Sequence, residues 1–166
     1  MREANSQFDK RKPYVSETKK ASYKYPILHS HTIKDGNIFY WTNAKEVTGK
    51  KFVNMFVPKV ILIKGVYAYP LNDYKGQYGM SNYSFGLPIS SKKEGDDIVK
   101  AINSEGFKRL IRATKWSSNF TDHNMFKYFK PDFYKSFLNE KNKKENKRTK
   151  RQYGKTGKNK TKKRRY

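Results

Sequence analysis

The chain has 166 residues, 35% of them hydrophobic, and a mean hydropathy of −1.05, so any core must occupy only part of the sequence. Lys and Arg outnumber Asp and Glu by 38 to 14. The resulting net charge of +24 repels itself unless a polyanion is nearby, which makes nucleic acid the expected partner. The absence of cysteine excludes a disulfide framework, a thiol nucleophile and a cysteine zinc site.

Residues 1–22 are polar and show no periodicity, so we expect a flexible N-terminal segment. They lack the apolar core of a signal peptide. The longest apolar run, Val60–Ile63, is too short to cross a bilayer. These features predict a soluble protein without membrane contact. We expect it inside a cell, in the cytoplasm or, if the source is eukaryotic or viral, in a nucleus or virion.

The globular part is predicted to be residues 23–138, which hold 22 of the 26 aromatic residues. Its first half contains strand-like runs rich in β-branched and aromatic residues. We predict a hairpin turning at Asp35-Gly36, a central strand, and a strand in which proline indicates an edge or a bulge. In order, these strands are Tyr25–Ile33, Ile38–Thr42, Pro58–Lys64 and Asn82–Ser90.

Two histidines, His29 and His31, alternate on the first predicted strand, and alternation places both side chains on one face. Without a nearby carboxylate or cysteine, we interpret them as surface or stacking residues rather than as metal ligands.

Helical spacing begins at a capping box, Ser91-x-x-Glu94, and ends at the break Asn103–Gly106. A second helix follows, and Asp122–Leu138 predicts a short helix that is broken before Pro131 and then a shorter one. Strands therefore precede helices. This order predicts an α+β domain with a small mixed or antiparallel sheet followed by C-terminal helices.

Residues 139–166 carry 14 basic and 2 acidic residues, a net charge of +12, and almost nothing apolar. We predict a disordered basic tail that anchors DNA without regard to sequence.

Catalytic and metal-binding patterns are weak. Asp73, Glu94 and Lys75 are the residue types of a nuclease site, but no strand-borne Asp is followed by Glu-x-Lys. The sequence also lacks a glycine-rich phosphate loop and a nucleophile elbow. We therefore predict no catalytic residue, no metal site and no cofactor.

Binding patterns are stronger in the glycine- and tyrosine-rich stretch after the third strand. Asn and Gln pair with adenine and Lys donates to guanine, while glycine lets the backbone approach a partner. The alternative is a polar loop whose tyrosines fold back onto the core. Candidate DNA contacts here are Asn72, Lys75, Gln77, Tyr78 and Asn82.

The second predicted helix has a basic side, and a polar stretch follows it. The candidate contacts there are Lys108, Arg109, Arg112, Lys115, Ser117 and Asn119.

Several short motifs occur here in a fixed order: Lys59-Val60, Gly76–Gly79, Phe85, Ser91–Gly95, Asn103-Ser104 with Phe107, and Lys115–Ser117. This order resembles the target-recognition domain of restriction-modification methyltransferases such as the type IIG enzymes, also found in large DNA viruses and phages. The resemblance covers about two-thirds of the chain. It implies sequence-specific binding of double-stranded DNA.

The family's cofactor loop and its Asn/Asp-Pro-Pro-Tyr tetrapeptide are absent. The resemblance therefore implies a recognition module without its own catalysis, with a methyltransferase or nuclease subunit as a possible partner. Two alternatives remain open: a restriction endonuclease or a fragment of one, and a nonspecific nucleic-acid-binding or genome-packaging protein that could also bind RNA.

Overall fold

The structure is a computed structural model that describes residues 2–3, 9–48, 55–65, 68–114 and 123–138. It contains two small sheets and several helices, which confirms the α+β class. The strands are β1 (Arg2–Glu3), β2 (Val15–Ser16), β3 (Tyr25–Thr32), β4 (Gly36–Thr42), β5 (Lys59–Ile63), β6 (Leu71–Asp73), β7 (Gly79–Met80) and β8 (Ser84–Pro88). The helices are α1 (Ala44–Thr48), α2 (Lys92–Ile102), α3 (Glu105–Ala113), a 3₁₀ helix (His123–Tyr128) and α4 (Lys135–Leu138).

The strands form two four-stranded sheets, whereas the sequence predicts one. The β5 sheet has the order β1-β8-β5-β6 with every neighbour antiparallel. The β3 sheet has the order β2-β4-β3-β7, and β7 runs parallel to β3. After β5 the chain therefore passes from the β5 sheet to the β3 sheet and back again, through β6, β7 and β8.

The β3–β4 hairpin forms as predicted, with Gly36 at φ +68 where the turn meets β4. Its ladder contains an irregularity between Leu28 and Ser30, where the register shifts. A bulge of this kind breaks the alternation of side chains. His29 and His31 consequently have different neighbours, and the prediction that they share one face is corrected.

The rings of both histidines pack against aromatic side chains. His29 lies edge-on to Tyr40 and Tyr83, with centroids 4.5 and 5.2 Å away. His31 stacks on Tyr69 at 3.9 Å and its Nδ1 lies 2.8 Å from Asn37 Oδ1.

Strand β5 is buried along its whole length, as its continuous apolar run predicts. Alternate residues pack in opposite directions. Val60 and Leu62 face the helices, and Ile61 and Ile63 face Leu28 and Met80 of the other sheet. The larger cluster also takes in β8, α2, α3 and the 3₁₀ helix, through Phe85, Ile98, Phe107 and Phe126 among others.

The predicted start of α2 is confirmed at its cap, whereas α3 begins at Glu105, inside the stretch Asn103–Gly106 that the sequence predicts as a break. The Ser91 side chain accepts from Glu94 N, and the Ser104 side chain accepts from Phe107 N. The second half of the capping box differs, because the Glu94 carboxylate accepts from Ser90 N and Ser90 Oγ rather than from the cap residue itself. These two bonds lower the pKa of Glu94.

The N-terminal segment has more regular structure than its composition predicts. Arg2–Glu3 pairs with Phe85 and Gly86 of β8, and Val15–Ser16 pairs with the end of β4. Backbone hydrogen bonding to an existing strand needs no apolar periodicity, which explains why the sequence does not reveal it. A fragment that begins at residue 23 would lose both strands.

Pro88 ends β8, a strand that lies between two others rather than at an edge. The pairing of β1 with β8 ends at Gly86. Pro88 lies two residues beyond that point, so the N–H that proline lacks is not needed for a hydrogen bond to β1.

Within the described residues, no helix is both long enough and apolar enough to cross a membrane. The predicted tail, 139–166, lies outside those residues.

Candidate nucleic-acid interface

A buried ion pair lies at the base of the loop that joins β6 to β7. The side chains of Lys59 and Asp73 are 0% and 1% exposed, and Lys59 Nζ donates to Asp73 Oδ2 at 2.7 Å. The ammonium group also donates to Val57 O at 3.0 Å. A buried pair of this kind persists because both partners have further hydrogen bonds.

The Asp73 carboxylate fixes the path of the loop. Oδ1 accepts from Gln77 N at 2.7 Å, and Oδ2 accepts from Tyr78 N at 3.0 Å. The Asp73 backbone carbonyl accepts from Gly76 N at 3.1 Å. Three successive amides of the loop are therefore bonded to one residue, so the loop, although outside regular secondary structure, is held in a single conformation.

Gly76 joins this loop to the segment before β5. Its φ is +67, and an added Cβ would lie 2.6 Å from the backbone carbon of Phe56, so only glycine fits. Phe56 N in turn donates to Gly76 O at 2.8 Å. We call residues 55–58 and 73–78, with Lys59, the clamp.

The 73–78 part of the clamp turns three side chains outward. Tyr74, Lys75 and Gln77 are exposed. The ammonium groups of Lys75 and Lys92 each lie 5.7 Å from the centre of the Tyr74 ring, which is within the range of a cation–π contact. The surface thus combines cationic, carboxamide and aromatic groups on a fixed backbone.

Three of the loop residues predicted to contact DNA are turned toward the protein instead. Asn72 Nδ2 donates to Lys92 O and to Asp96 Oδ1, and its amide fills the space above Gly95. Tyr78 packs its ring on Phe39 at 5.0 Å, so for this residue the alternative of a tyrosine folded onto the core is correct.

Asn82, the third, occupies the turn before β8, and its Oδ1 is buried without a hydrogen-bond partner. Lys75 and Gln77 therefore remain the outward-facing candidates of this loop.

Charge is distributed differently on the two main helices. In α2 the three lysines are matched by three carboxylates, and Lys92 and Lys93 pair with Asp96 and Asp97 at 2.6 and 2.7 Å. In α3 three cations face one carboxylate, Glu105.

Lys108 Nζ lies 3.5 Å from Glu105 Oε1 and the Arg112 guanidinium lies 3.6 Å from Oε2, while Arg109 is exposed. The positive charge of the helical layer is therefore concentrated on α3, as predicted. Lys115, Ser117 and Asn119 lie outside the described residues.

A pocket of about 400 Å³ lies between α3, the end of α2 and residues 68–70. Lys108 and Arg112 line it together with the apolar side chains of Phe107 and Ile111. Tyr69 also lines it and has φ +38, a conformation that L-residues rarely adopt. A volume of this size lies at the lower end of the range of small-molecule sites.

Sequence reasoning missed the residues that build the clamp. In the sequence, Lys59 stands out only as part of a motif, and Asp73 only as a weak nuclease candidate. A lysine inside an otherwise apolar strand is a usable signal, because a buried charge requires a partner. Its partner follows from register alone, since Lys59 pairs with Asp73 across the β5–β6 ladder. Phe56 carries no comparable signal.

Among the described residues, no group of three or more His, Asp or Glu is arranged to hold a metal ion. Glu94 and Asp73, which share with Lys75 the residue types of a nuclease site, have the separate hydrogen-bond partners given above.

The fold and this surface define a basic α+β protein with a rigid, outward-facing polar and aromatic loop. No protein-family model, curated protein or solved structure matches the chain.

Proposed function

We propose that the protein binds double-stranded DNA and that the clamp presents the residues that contact it. The observation that carries the proposal is the fixed backbone of the 74–78 loop: Asp73 bonds to the amides of Gln77 and Tyr78, and Lys75 and Gln77 face solvent. A side chain on an ordered backbone loses little freedom on binding, which favours discrimination between bases.

The charge of the chain supplies the second part of the proposal. A net charge of +24 favours nonspecific binding to phosphates, to which Arg109 on α3 and the basic tail contribute. In this division of roles, α3 and the tail supply affinity, and Gln77 and Lys75 supply base discrimination. Because DNA is found inside cells and virions, we propose that the protein acts there.

The comparisons lend no support to the resemblance to target-recognition domains. A recognition module that works with a methyltransferase or nuclease on another chain is the form of the proposal that the sequence motifs suggest. The proposal of DNA binding itself rests on the clamp and on the charge.

The test is selection of bound sequences from a random duplex pool, followed by titration of a selected and a scrambled duplex. The full chain is used, because truncation before residue 23 removes β1 and β2. Enrichment of a shared sequence supports the proposal. Gln77→Ala should then reduce discrimination at one base pair by about 1–3 kcal/mol and leave binding to the scrambled duplex nearly unchanged.

Two controls separate affinity from discrimination. Arg109→Gln, or removal of 139–166, should weaken binding to both duplexes alike. For each phosphate that the variant no longer neutralises, the slope of log K against log salt should become shallower by about 0.9.

Other outcomes would refute the proposal. Absence of any enriched sequence would favour the nonspecific or packaging alternative, and a preference for single-stranded RNA would do the same. Magnesium-dependent cleavage that persists through purification would favour the endonuclease.

A further inference from the structure

Phe56 is an exposed aromatic side chain at the surface of the clamp. The residue is 61% exposed, and within the described part of the chain it is the one phenylalanine among the exposed large hydrophobic residues. Its ring has an edge-on contact with Tyr25, at a centroid distance of 6.2 Å. Packing therefore accounts for only a small part of the ring surface.

The backbone of Phe56 is held in an unfavourable conformation. Its φ is +63, a region that glycine and asparagine occupy readily and that a bulky side chain resists. Two hydrogen bonds maintain it: Phe56 N donates to Gly76 O at 2.8 Å, and the next carbonyl, Val57 O, accepts from buried Lys59. Strained residues held in place by their surroundings occur preferentially at functional sites.

The surroundings of the ring indicate what it contacts. Gly76, whose carbonyl bonds to Phe56, is flanked by the exposed Lys75 and Gln77. The two hydrogen-bonded segments thus carry an exposed apolar ring, a cation and a carboxamide, a set that complements a partner that is flat and apolar at its centre and anionic at its edge. A base step between phosphates has these properties, and phenylalanine is among the wedge residues that open such steps.

We propose that Phe56 inserts its ring at a base step of duplex DNA, next to the contacts of the 74–78 loop. This inference rests on the proposed function and deepens it. The clamp holds the ring outward before DNA arrives, so insertion requires no rearrangement of the loop. Unstacking a base is the main cost of insertion, and this cost is lowest where a base is already unpaired.

The experiment compares two duplexes that share one strand carrying a single 2-aminopurine, which is paired with thymine in the first duplex and lies unpaired opposite an abasic site in the second. The full chain should bind the second duplex several-fold more tightly and change its fluorescence. Phe56→Ala should reduce affinity for that duplex by about 5- to 150-fold, the range found for aromatic residues that stack on bases, and should abolish the preference. Phe56→Trp should retain it.

Tyr128→Ala is the matched control, because Tyr128 is 87% exposed on the 3₁₀ helix, and it should behave as the unmodified chain. Melting temperature, measured for each variant, verifies folding. If the folded Phe56→Ala variant keeps the preference, or if the unmodified chain binds both duplexes equally and with steep salt dependence, insertion is refuted and DNA binding stands. If neither duplex binds, the proposed function itself is refuted, and insertion with it.

Discussion

Replacing Lys59 with Met tests whether the buried ion pair holds the clamp. Methionine nearly matches the length of the lysine stem, so little cavity is created, and the effect reports the missing charge. The Asp73 carboxylate would stay buried with its two bonds from Gln77 N and Tyr78 N but without its counter-ion. Breaking a buried pair in this way costs roughly 3–5 kcal/mol.

That loss of stability corresponds to a fall in Tm of about 6–20 °C for a chain of this size. Urea unfolding followed by circular dichroism measures it directly. Lys75→Met, on the same loop but exposed, is the matched control and should change the free energy of unfolding by less than about 0.5 kcal/mol.

A second substitution tests whether the unpaired Asp73 charge causes this loss of stability. Asp73→Asn in the Lys59→Met background removes the unpaired charge and keeps an acceptor oxygen for one of the two loop amides, so it should recover only part of the stability. A cost below about 1 kcal/mol for Lys59→Met, or no recovery in the double variant, would refute the reasoning.

Three further predictions concern single side chains. Gly76→Ala should lower the free energy of unfolding in urea by at least about 2 kcal/mol, because the methyl group adds a backbone clash to the strain of positive φ. Gly36→Ala is the control: Gly36 has nearly the same φ but open space around it, so the cost should be only about 1 kcal/mol. Equal costs for the two variants would contradict the close approach of Gly76 to Phe56. Gly95→Ala should lower Tm, because the added methyl group would meet the Asn72 amide. This effect opposes the helix propensity of alanine, which exceeds that of glycine by about 1 kcal/mol. A rise in Tm would contradict the contact between Gly95 and Asn72. Burial lowers the pKa of His29 from its usual 6.5, so the unfolded chain takes up a proton first as pH falls. The stability that this residue contributes is therefore present above about pH 6.5 and declines below it. His29→Phe should show a smaller drop in Tm between about pH 7.5 and 5.5 than the unmodified chain. An identical drop in the two proteins would contradict the lowered pKa of His29.

The elements that sequence predicts well are those specified by neighbouring residues. The hairpin follows from Asp35-Gly36, and strand β5 follows from its apolar run. The start of α2 follows from Ser91, whose side chain accepts from the amide three residues ahead. Local chemistry is sufficient in each case.

The features that sequence did not reveal depend on distant partners. β7 pairs with β3 across about fifty residues, and this pairing adds a parallel strand to the edge of the β3 sheet. The bulge at Leu28/Ser30 separates two histidines that simple alternation would unite. In the loop, the composition correctly indicated hydrogen-bonding residues, but it could not show that Asn72 bonds inward while Gln77 faces solvent.

The passage of the chain between the two sheets bears on how the protein folds. β6, β7 and β8 belong alternately to the β5 sheet, the β3 sheet and the β5 sheet again, with only short connections between them. Neither sheet can be completed while the other is unformed, so both should melt in one cooperative transition. Because pairings such as Ile27 with Gly79 join residues far apart in sequence, loop closure must precede much of the stabilisation. We therefore expect folding to be slow compared with that of helical proteins of equal length.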